Sequence, residues 1–596
     1  MIRNLIFIAF ITLLSFGSYA QDQIIARQYF EEGNFEKAAV YYERFYRNNP
    51  HNSGVIVPLV ETYQQLEKYQ KAETLLLKAA KGNRVNPVLY VEIGYNYNLM
   101  DKQKEAEDYY TMAIASIDNN PNYAYILGKT FRDKSLLDKA ISVYKKAMEL
   151  NGQLNFEYDL ATIYGELGEV ELMYTMYLDL IKKSPNLAPT IKRNLGRFVT
   201  EDSGTENNML FKKALLKKSQ SEPDVLWNEM LSWMFVQQRD YKNAFVQQRA
   251  IYKRSEAKTL VNIVDLGIVA LENKDTDTAR AIYEFVIAES SDQQLVIQAK
   301  LNLISLEISD DQQDDFKSIK ADFEQLLNEY GSSVNTLFVQ IQYAKFLAFQ
   351  MGDSPKAEQI LKQALTLSND RFKQAQVKIT LADVLVYDQK FNQALIYYTQ
   401  VQKDLKNDVW GQYARFKVAQ TSFYKGDFQW AETQLKVLKS STSQLIANDA
   451  LELKLLISDN IKQDSIHAAL KLYAKADLLA YQNNTKESIS ILQEILVNHK
   501  GDAIEDQALL KQGELFEKIK QYDKAALNYE KIIAFYPEGI LMDDALFHLG
   551  VLNLKKRMMP EQAKQLLERI IFEHQDSIYF VQARDLYRSI RGDQVQ

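Results

Sequence analysis

Small residues recur along the first quarter of the chain at a fixed step: Ala38, Ala72, Ala106 and Ala140 each stand thirty-four positions after the last. The same large apolar positions surround them. Leu59, Tyr63, Leu76 and Ala79 flank Ala72; Ile93, Gly94, Tyr97, Tyr110 and Ala113 flank Ala106; Leu127, Gly128, Phe131, Tyr144 and Ala147 flank Ala140. Apolar residues three and four apart predict amphipathic helices. Polar breaks at Gly33-Asn34, Asp101-Lys102 and Gly168-Glu169 predict the turns between them. Each step is therefore expected to be a helical hairpin whose small residue lets its two helices approach while aromatics fill the space beside it.

The pattern continues with changes. A fifth unit at 154–187 keeps Leu160, Ala161, Tyr164, Tyr177, Leu180 and Pro185 but carries Met173 at the anchor. Residues 188–224 hold Pro189, Pro223 and the polar break Glu201 to Thr205, and read as a degenerate repeat with a hinge at 200–208. Anchors resume at Ala244, Ala279, Ile319, Ala357, Ala394 and Ala431, the last two steps being equal and slightly wider than in the first repeats. The next anchor, Ser488, comes only after a gap longer than one hairpin, which predicts one additional helix within 444–459 before a pair at 466–482 and 485–498. These spacings divide the chain into 1–20, 21–187, 188–224, 225–440, 441–499 and 500–596.

A constant period of this length, with small and aromatic residues at fixed offsets, resembles the tetratricopeptide repeat family. That resemblance implies an all-α, right-handed solenoid of about fifteen helix-turn-helix units, acting as a binding scaffold. Tyr522, Ala525, Tyr529, Ile532, Tyr536-Pro537 and Asp543 to Phe547 resemble the repeats of periplasmic proteins such as the outer-membrane assembly lipoprotein BamD and Tol-associated repeat proteins. His574-Gln575 departs from that pattern where a Tyr-Pro pair is expected. The likeness makes an outer-membrane assembly complex a candidate partner.

Composition narrows the class. Of 596 residues 46% are hydrophobic, 25% are charged and 10 are proline, which describes an ordered chain. A net charge of −7, with neither sign concentrated, argues against nucleic acid. Arg3, the apolar run Leu5 to Phe16 and Ser18-Tyr19-Ala20 read as a cleaved secretory signal, with the mature chain starting near Gln21. The run is shorter than the ~20 residues that span a bilayer. The expected location is thus the periplasm of a Gram-negative bacterium, peripheral to the outer membrane, with no transmembrane segment in the mature chain. The absence of cysteine excludes disulfides, thiolate metal sites and a lipidated cysteine.

Little points to chemistry. The five histidines, at 51, 467, 499, 548 and 574, form no i,i+4 pair, and no GxGxxG, P-loop, GxSxG or HExxH occurs. No enzyme, metal or cofactor is expected. The acidic run Asp310 to Asp315 lacks the spacing of a calcium loop and reads as helix-capping carboxylates. In the family the first helix of each unit lines a concave groove. Carried onto this chain, those positions include Tyr95, Asn98 and Leu99, then Tyr125, Lys129, Arg132 and Asp133, then Tyr158 and Glu166. Tyrosine binds at low entropic cost, and Lys129 with Arg132 could grip a carboxylate, so the groove is a candidate site for peptide or helical segments. Solvated polar faces account for the same residues equally well. The family's chaperone carboxylate clamp is not reproduced. The expected function is a non-enzymatic adaptor in the cell envelope, with a glycan- or peptidoglycan-binding solenoid as the alternative.

Overall fold

The computed structural model describes residues 23–592 apart from 49, 51–52, 82–84, 309–315, 439–442 and 462–466. The export segment 1–20, His51 and the run Asp310 to Asp315 lie outside the described residues. Among the described residues every regular element is a helix. The chain forms two compact units, Met1–Thr259 and Leu260–Gln596. This boundary falls inside the 225–440 stretch that anchor spacing groups together.

In the first unit the helices pair as α1 (23–31) with α2 (Phe35–Asn48), α3 (Ser53–Gln65) with α4 (Tyr69–Ala79), and α5 (Val88–Leu99) with α6 (Gln103–Asn119). Then come α7 (Ala124–Asp133) with α8 (Leu137–Leu150) and α9 (Glu157–Glu166) with α10 (Val170–Lys183). The degenerate stretch forms α11 (Ala188–Leu195) and α12 (Glu206–Ser221), and α13 (Val225–Gln237) pairs with α14 (Tyr241–Arg254). The loop before α12 is tied down by buried Asn208, whose Nδ2 donates to the carbonyls of Thr200 at 2.9 Å and Asp202 at 2.6 Å.

The second unit runs α15 (Val261–Glu272), α16 (Thr276–Glu289), α17 (Gln293–Ile308), α18 (Phe316–Tyr330), α19 (Leu337–Phe349) and α20 (Ser354–Ala364). It continues with α21 (Arg371–Tyr387), α22 (Phe391–Asp404), α23 (Val409–Lys425) and α24 (Phe428–Val437). The additional helix expected at 444–459 is α25 (Gln444–Asn460). After it come α26 (Ala468–Tyr481), α27 (Thr485–Asn498), α28 (Glu505–Lys518), α29 (Tyr522–Phe535), α30 (Met542–Lys555), α31 (Pro560–Glu573) and α32 (Phe580–Arg591).

One rule places the anchors. Ala38, Ala72, Ala106, Ala140, Ala244, Ala279, Ala357, Ala394, Ala431, Ala525 and Ala563 are each the fourth residue of the second helix of a hairpin, and all are buried. One turn into that helix is where it crosses closest to its partner, so a larger side chain must be offset elsewhere. Met173 shows how: a Cβ on Gly165 would lie 2.5 Å from its sulfur, so the opposing glycine makes the room. Ser488 is a buried polar anchor, satisfied by donating to the Ala476 carbonyl at 2.7 Å. The turns share a rule too. The residue two before the second helix is left-handed, as glycine at Gly33, Gly168, Gly352 and Gly426, and as Glu67, Asp101, Ser135, Arg239, Lys274, Gln389, Asn483, Lys520 and Met558 elsewhere. Most of these turns close by a six-to-one backbone bond, as from the Lys102 amide to the Tyr97 carbonyl at 2.9 Å.

Candidate functional site

In the first unit, groove positions fall into columns one repeat apart. Glu61, Tyr95 and Lys129 form one; Gln64, Asn98, Arg132 and Glu166 a second; Gln65, Leu99 and Asp133 a third. Adjacent first helices place Tyr95, Leu99 and Asp133 around a depression of about 470 Å³ shared with Phe30, Gln64 and Lys134. Lys134 was absent from the sequence candidates, yet it organises this depression. Its Nζ lies 2.8 Å from Glu61 and 3.3 Å from Glu92, and 5.0 Å from the centre of the Tyr95 ring. Glu92 is 1% exposed, and burial pushes its carboxyl up to about 7, opposed by Lys134. Burial acts to lower the Lys134 pKa, but Glu92 and Glu61 outweigh it and leave it raised.

The other candidates lie further along. Arg132 is engaged within the chain: its Nε donates to both carboxylate oxygens of Glu166, at 3.0 and 3.1 Å, one repeat away. Lys129 and Asn98 stay exposed. Lys129 and Arg132 therefore do not form a free pair of cations, because the next repeat supplies Arg132 with its carboxylate. Tyr125 is exposed and meets buried Phe156 edge-on, with centroids 4.8 Å apart. The Tyr158 hydroxyl accepts from Asn194 Nδ2 at 2.8 Å.

The groove of the second unit is more elaborate, and the sequence reading missed it. Lys417 of α23 and Lys511 of α28 each face a carboxylate one regular step earlier in the chain, on the preceding first helix: Asp383 at 3.7 Å and Asp477 at 2.9 Å. His548 of α30 occupies the corresponding place, 3.8 Å from Glu517. Burial acts to lower its pKa, but Glu517, Glu514 and Asp544 raise it on balance. Tyrosine hydroxyls complete the acids: Tyr398 donates to Asp383 at 2.6 Å, Tyr424 to Asp477 at 3.2 Å, Tyr529 to Glu517 at 2.7 Å and Tyr579 to Asp544 at 2.9 Å.

The inserted helix shapes this groove. First helix α26 packs on α23, and reaches α21 through Tyr481, which donates to the Asp383 carbonyl at 3.1 Å, and Gln482, which donates to the Tyr387 carbonyl at 2.6 Å. Helix α25 is therefore displaced from the stack and packs on α23 and α24. It borders two depressions that share Tyr413. One, about 620 Å³, takes in Ile341, Ile379, Trp410 and Ile446; the other, about 630 Å³, takes in Tyr424, Tyr473, Glu452, Lys511 and Glu514. The long step from Ala431 to Ser488 hides these alignments from a search at the regular period. The signal left in the sequence is the recurrence of an acid one regular step before a basic residue, Asp383 before Lys417 and Asp477 before Lys511.

Among the described residues no group of three or more His, Asp or Glu could hold a metal ion, and no helix is long and apolar enough to cross a membrane. Models of the tetratricopeptide repeat match residues 29–90, 121–154 and 507–539, which take in the end of α1 with α2 to α4, the hairpin of α7 and α8, and most of α28 with α29. No curated protein matches the chain. Similar solved structures include the APC/C hetero-tetramer Cut9–Hcn1, with 13% identity, TM-score 0.24 and coverage of 97% of this chain and 98% of that one. Others are Naa15/Naa10 bound to HypK-THB, with 12% identity, TM-score 0.28 and 96% of each chain covered, and yeast Tom70, with 13%, 0.25, and 93% and 99%. These likenesses carry nothing about partners. The matched repeats and the hairpin rule that extends through both units make one statement: the chain is a tetratricopeptide repeat protein, an all-α solenoid of helical hairpins.

Proposed function

We propose that this protein is a non-enzymatic adaptor of the cell envelope, exported to the periplasm, that holds segments of partner proteins in the grooves of its repeats. Tetratricopeptide repeats are protein-interaction scaffolds, and the observation that carries the reading here is the pair of grooves lined by first helices, each with depressions of several hundred Å³. The envelope assignment is supported by Arg3, the apolar run Leu5 to Phe16 and Ser18-Tyr19-Ala20, together with the likeness of residues 500–592 to periplasmic assembly repeats. On this reading the carboxyl-terminal repeats dock onto an outer-membrane assembly complex.

Two measurements test the proposal. Amino-terminal sequencing of the protein from a periplasmic fraction should begin at or near Gln21, whereas a cytoplasmic protein with Met1 intact would overturn the location. A photoreactive residue in place of exposed Lys129, in the groove, should cross-link to a partner polypeptide. The same group in place of exposed Lys104, on second helix α6, should not; equal cross-linking from both would overturn the groove.

A further inference from the structure

The two depressions bordered by α25 differ in character. Ile341, Ile379 and Ile446 give the first an apolar floor, and Val409, half exposed, stands at its edge. The second is tyrosine and carboxylate. Two of its lysines are taken up by carboxylates, Lys417 by Asp383 and Lys511 by Asp477 at 2.9 Å and Glu514 at 3.9 Å, and the third, Lys518, donates to the side-chain oxygen of Asn483 at 2.9 Å. Asp449 and Glu452 of α25 also border it, and Asp544 of α30 acts electrostatically on Glu452. Among the described residues none of these three forms an ion pair. Burial first, then Asp544 and Glu514, raise the Glu452 carboxyl, opposed by Lys511; burial raises that of Asp544, opposed by the Tyr579 hydroxyl. With Asp544 beside them, Asp449, Glu452, Asp477 and Glu514 outnumber Lys417, Lys511 and Lys518, and an added cation would offset that excess of negative charge.

Helix α25 joins the two halves. Ile446 points to the apolar depression, and Asp449, Glu452, Leu453 and Leu456 to the acidic one, so a single face of one helix walls both. An occupant matching that wall needs an apolar part and a basic part in one continuous segment. Nucleic acid and anionic lipid are repelled by the uncompensated carboxylates, and a bare metal ion finds no ligand cluster among the described residues.

We propose that the trough walled by α25 holds an amphipathic, lysine- or arginine-rich segment of a partner protein, with its apolar residues in the depression of Ile379 and its basic residues beside Glu452, Glu514 and Asp544. This rests on the scaffold reading above and assigns the chemistry of one of its sites. Guanidinium and ammonium groups fit a hollow of carboxylates and tyrosines, since ring faces and carboxylates both attract cations. The apolar depression supplies area that a free polyamine could not use.

Fluorescence anisotropy on the full chain tests this with a fluorescein-labelled peptide carrying leucines on one helical face and lysines on the other. A glutamate-for-lysine peptide and a serine-for-leucine peptide are the counterparts. The leucine–lysine peptide should bind at least about tenfold more tightly than either counterpart, with affinity falling as salt rises. Glu452→Lys should weaken it about tenfold and Glu452→Gln less, while Val409→Ser should weaken it a few-fold with little change in salt dependence. Both side chains reach solvent through the open side of the trough, and circular dichroism should show unchanged helicity. Equal or tighter binding of the glutamate peptide, or an unchanged affinity for Glu452→Lys, overturns the basic assignment. If no peptide binds while Lys129 still cross-links to a partner, this trough is not the site although the scaffold reading stands. If neither is seen, both fall.

Discussion

The two units use the same hairpin and spend their groove charges differently. In the first, Lys134 sits between Glu61 and Glu92 and against the Tyr95 ring, and Arg132 is bound by Glu166, so these two cations tie neighbouring repeats together while Lys129 stays exposed. In the second, Lys417 and Lys511 do the same work, but α25 adds Asp449 and Glu452, neither of which forms an ion pair among the described residues. A strictly regular step sets a groove charge opposite its counterpart on the neighbouring repeat, as Arg132 meets Glu166. Inserting one helix leaves a groove with charge to spare, and spare charge is what a partner can use.

The largest expected effect sharpens the comparison at the level of packing. A Cβ on Gly411 in the second unit would meet the Leu405 carbonyl oxygen at 2.0 Å, and backbone cannot swing away. Gly411→Ala should destabilise its unit by about 3 kcal/mol. In the first unit a Cβ on Gly128 would meet the Tyr144 ring at 2.3 Å, a side chain able to shift, so Gly128→Ala should cost about 1–2 kcal/mol. Hydrogen exchange resolved by unit measures both, and an equal loss in the two would erase the distinction. Ala106→Leu, at a buried anchor, should likewise cost ~1–3 kcal/mol.

Next in size is the pH dependence of the first unit. Glu92 has a folded pKa of about 7 against 4.5 for the free group, so the folded state holds the proton more tightly. Its contribution to stability is full below about 4.5 and is lost as pH rises to about 7, a change of roughly 3 kcal/mol. Glu92→Gln should remove that slope and leave the protein more stable than the parent at pH 8. Denaturant titrations at several pH values check it, and a parallel slope in the variant would show that another group titrates.

The smaller effects concern the ladders. Asp477→Ala removes the partner of Lys511 and the acceptor of Tyr424, both partly buried, and should cost about 1–2 kcal/mol. Arg132→Ala breaks a more exposed pair and should cost less than about 1 kcal/mol. Equal losses would mean that the two grooves are equally solvated.

The anchors were legible because burial leaves a periodic mark. Ala72 and Ala106 must be small wherever two helices cross closely, and the same demand at the same turn writes the same letter every repeat. Helix α25 was legible as length, since the stretch between Ala431 and Ser488 exceeds one hairpin. The groove candidates Tyr95, Leu99 and Asp133 were placed together, but Lys134, one residue past α7, was passed over because it lies outside the helical positions from which a groove is read.

The sequence by itself determined the hairpin, its small anchors and its turns, because those depend on contacts within one or two repeats and therefore recur at a constant offset. The tertiary structure alone decided which charges are paired and which are left over. Arg132 meets Glu166 only when the next repeat stacks, and Glu452 faces Glu514 and Asp544 only because α25 leaves the stack and lies along the groove. Charge pairing across repeats depends on distances that no spacing along the chain encodes once an extra helix interrupts the period.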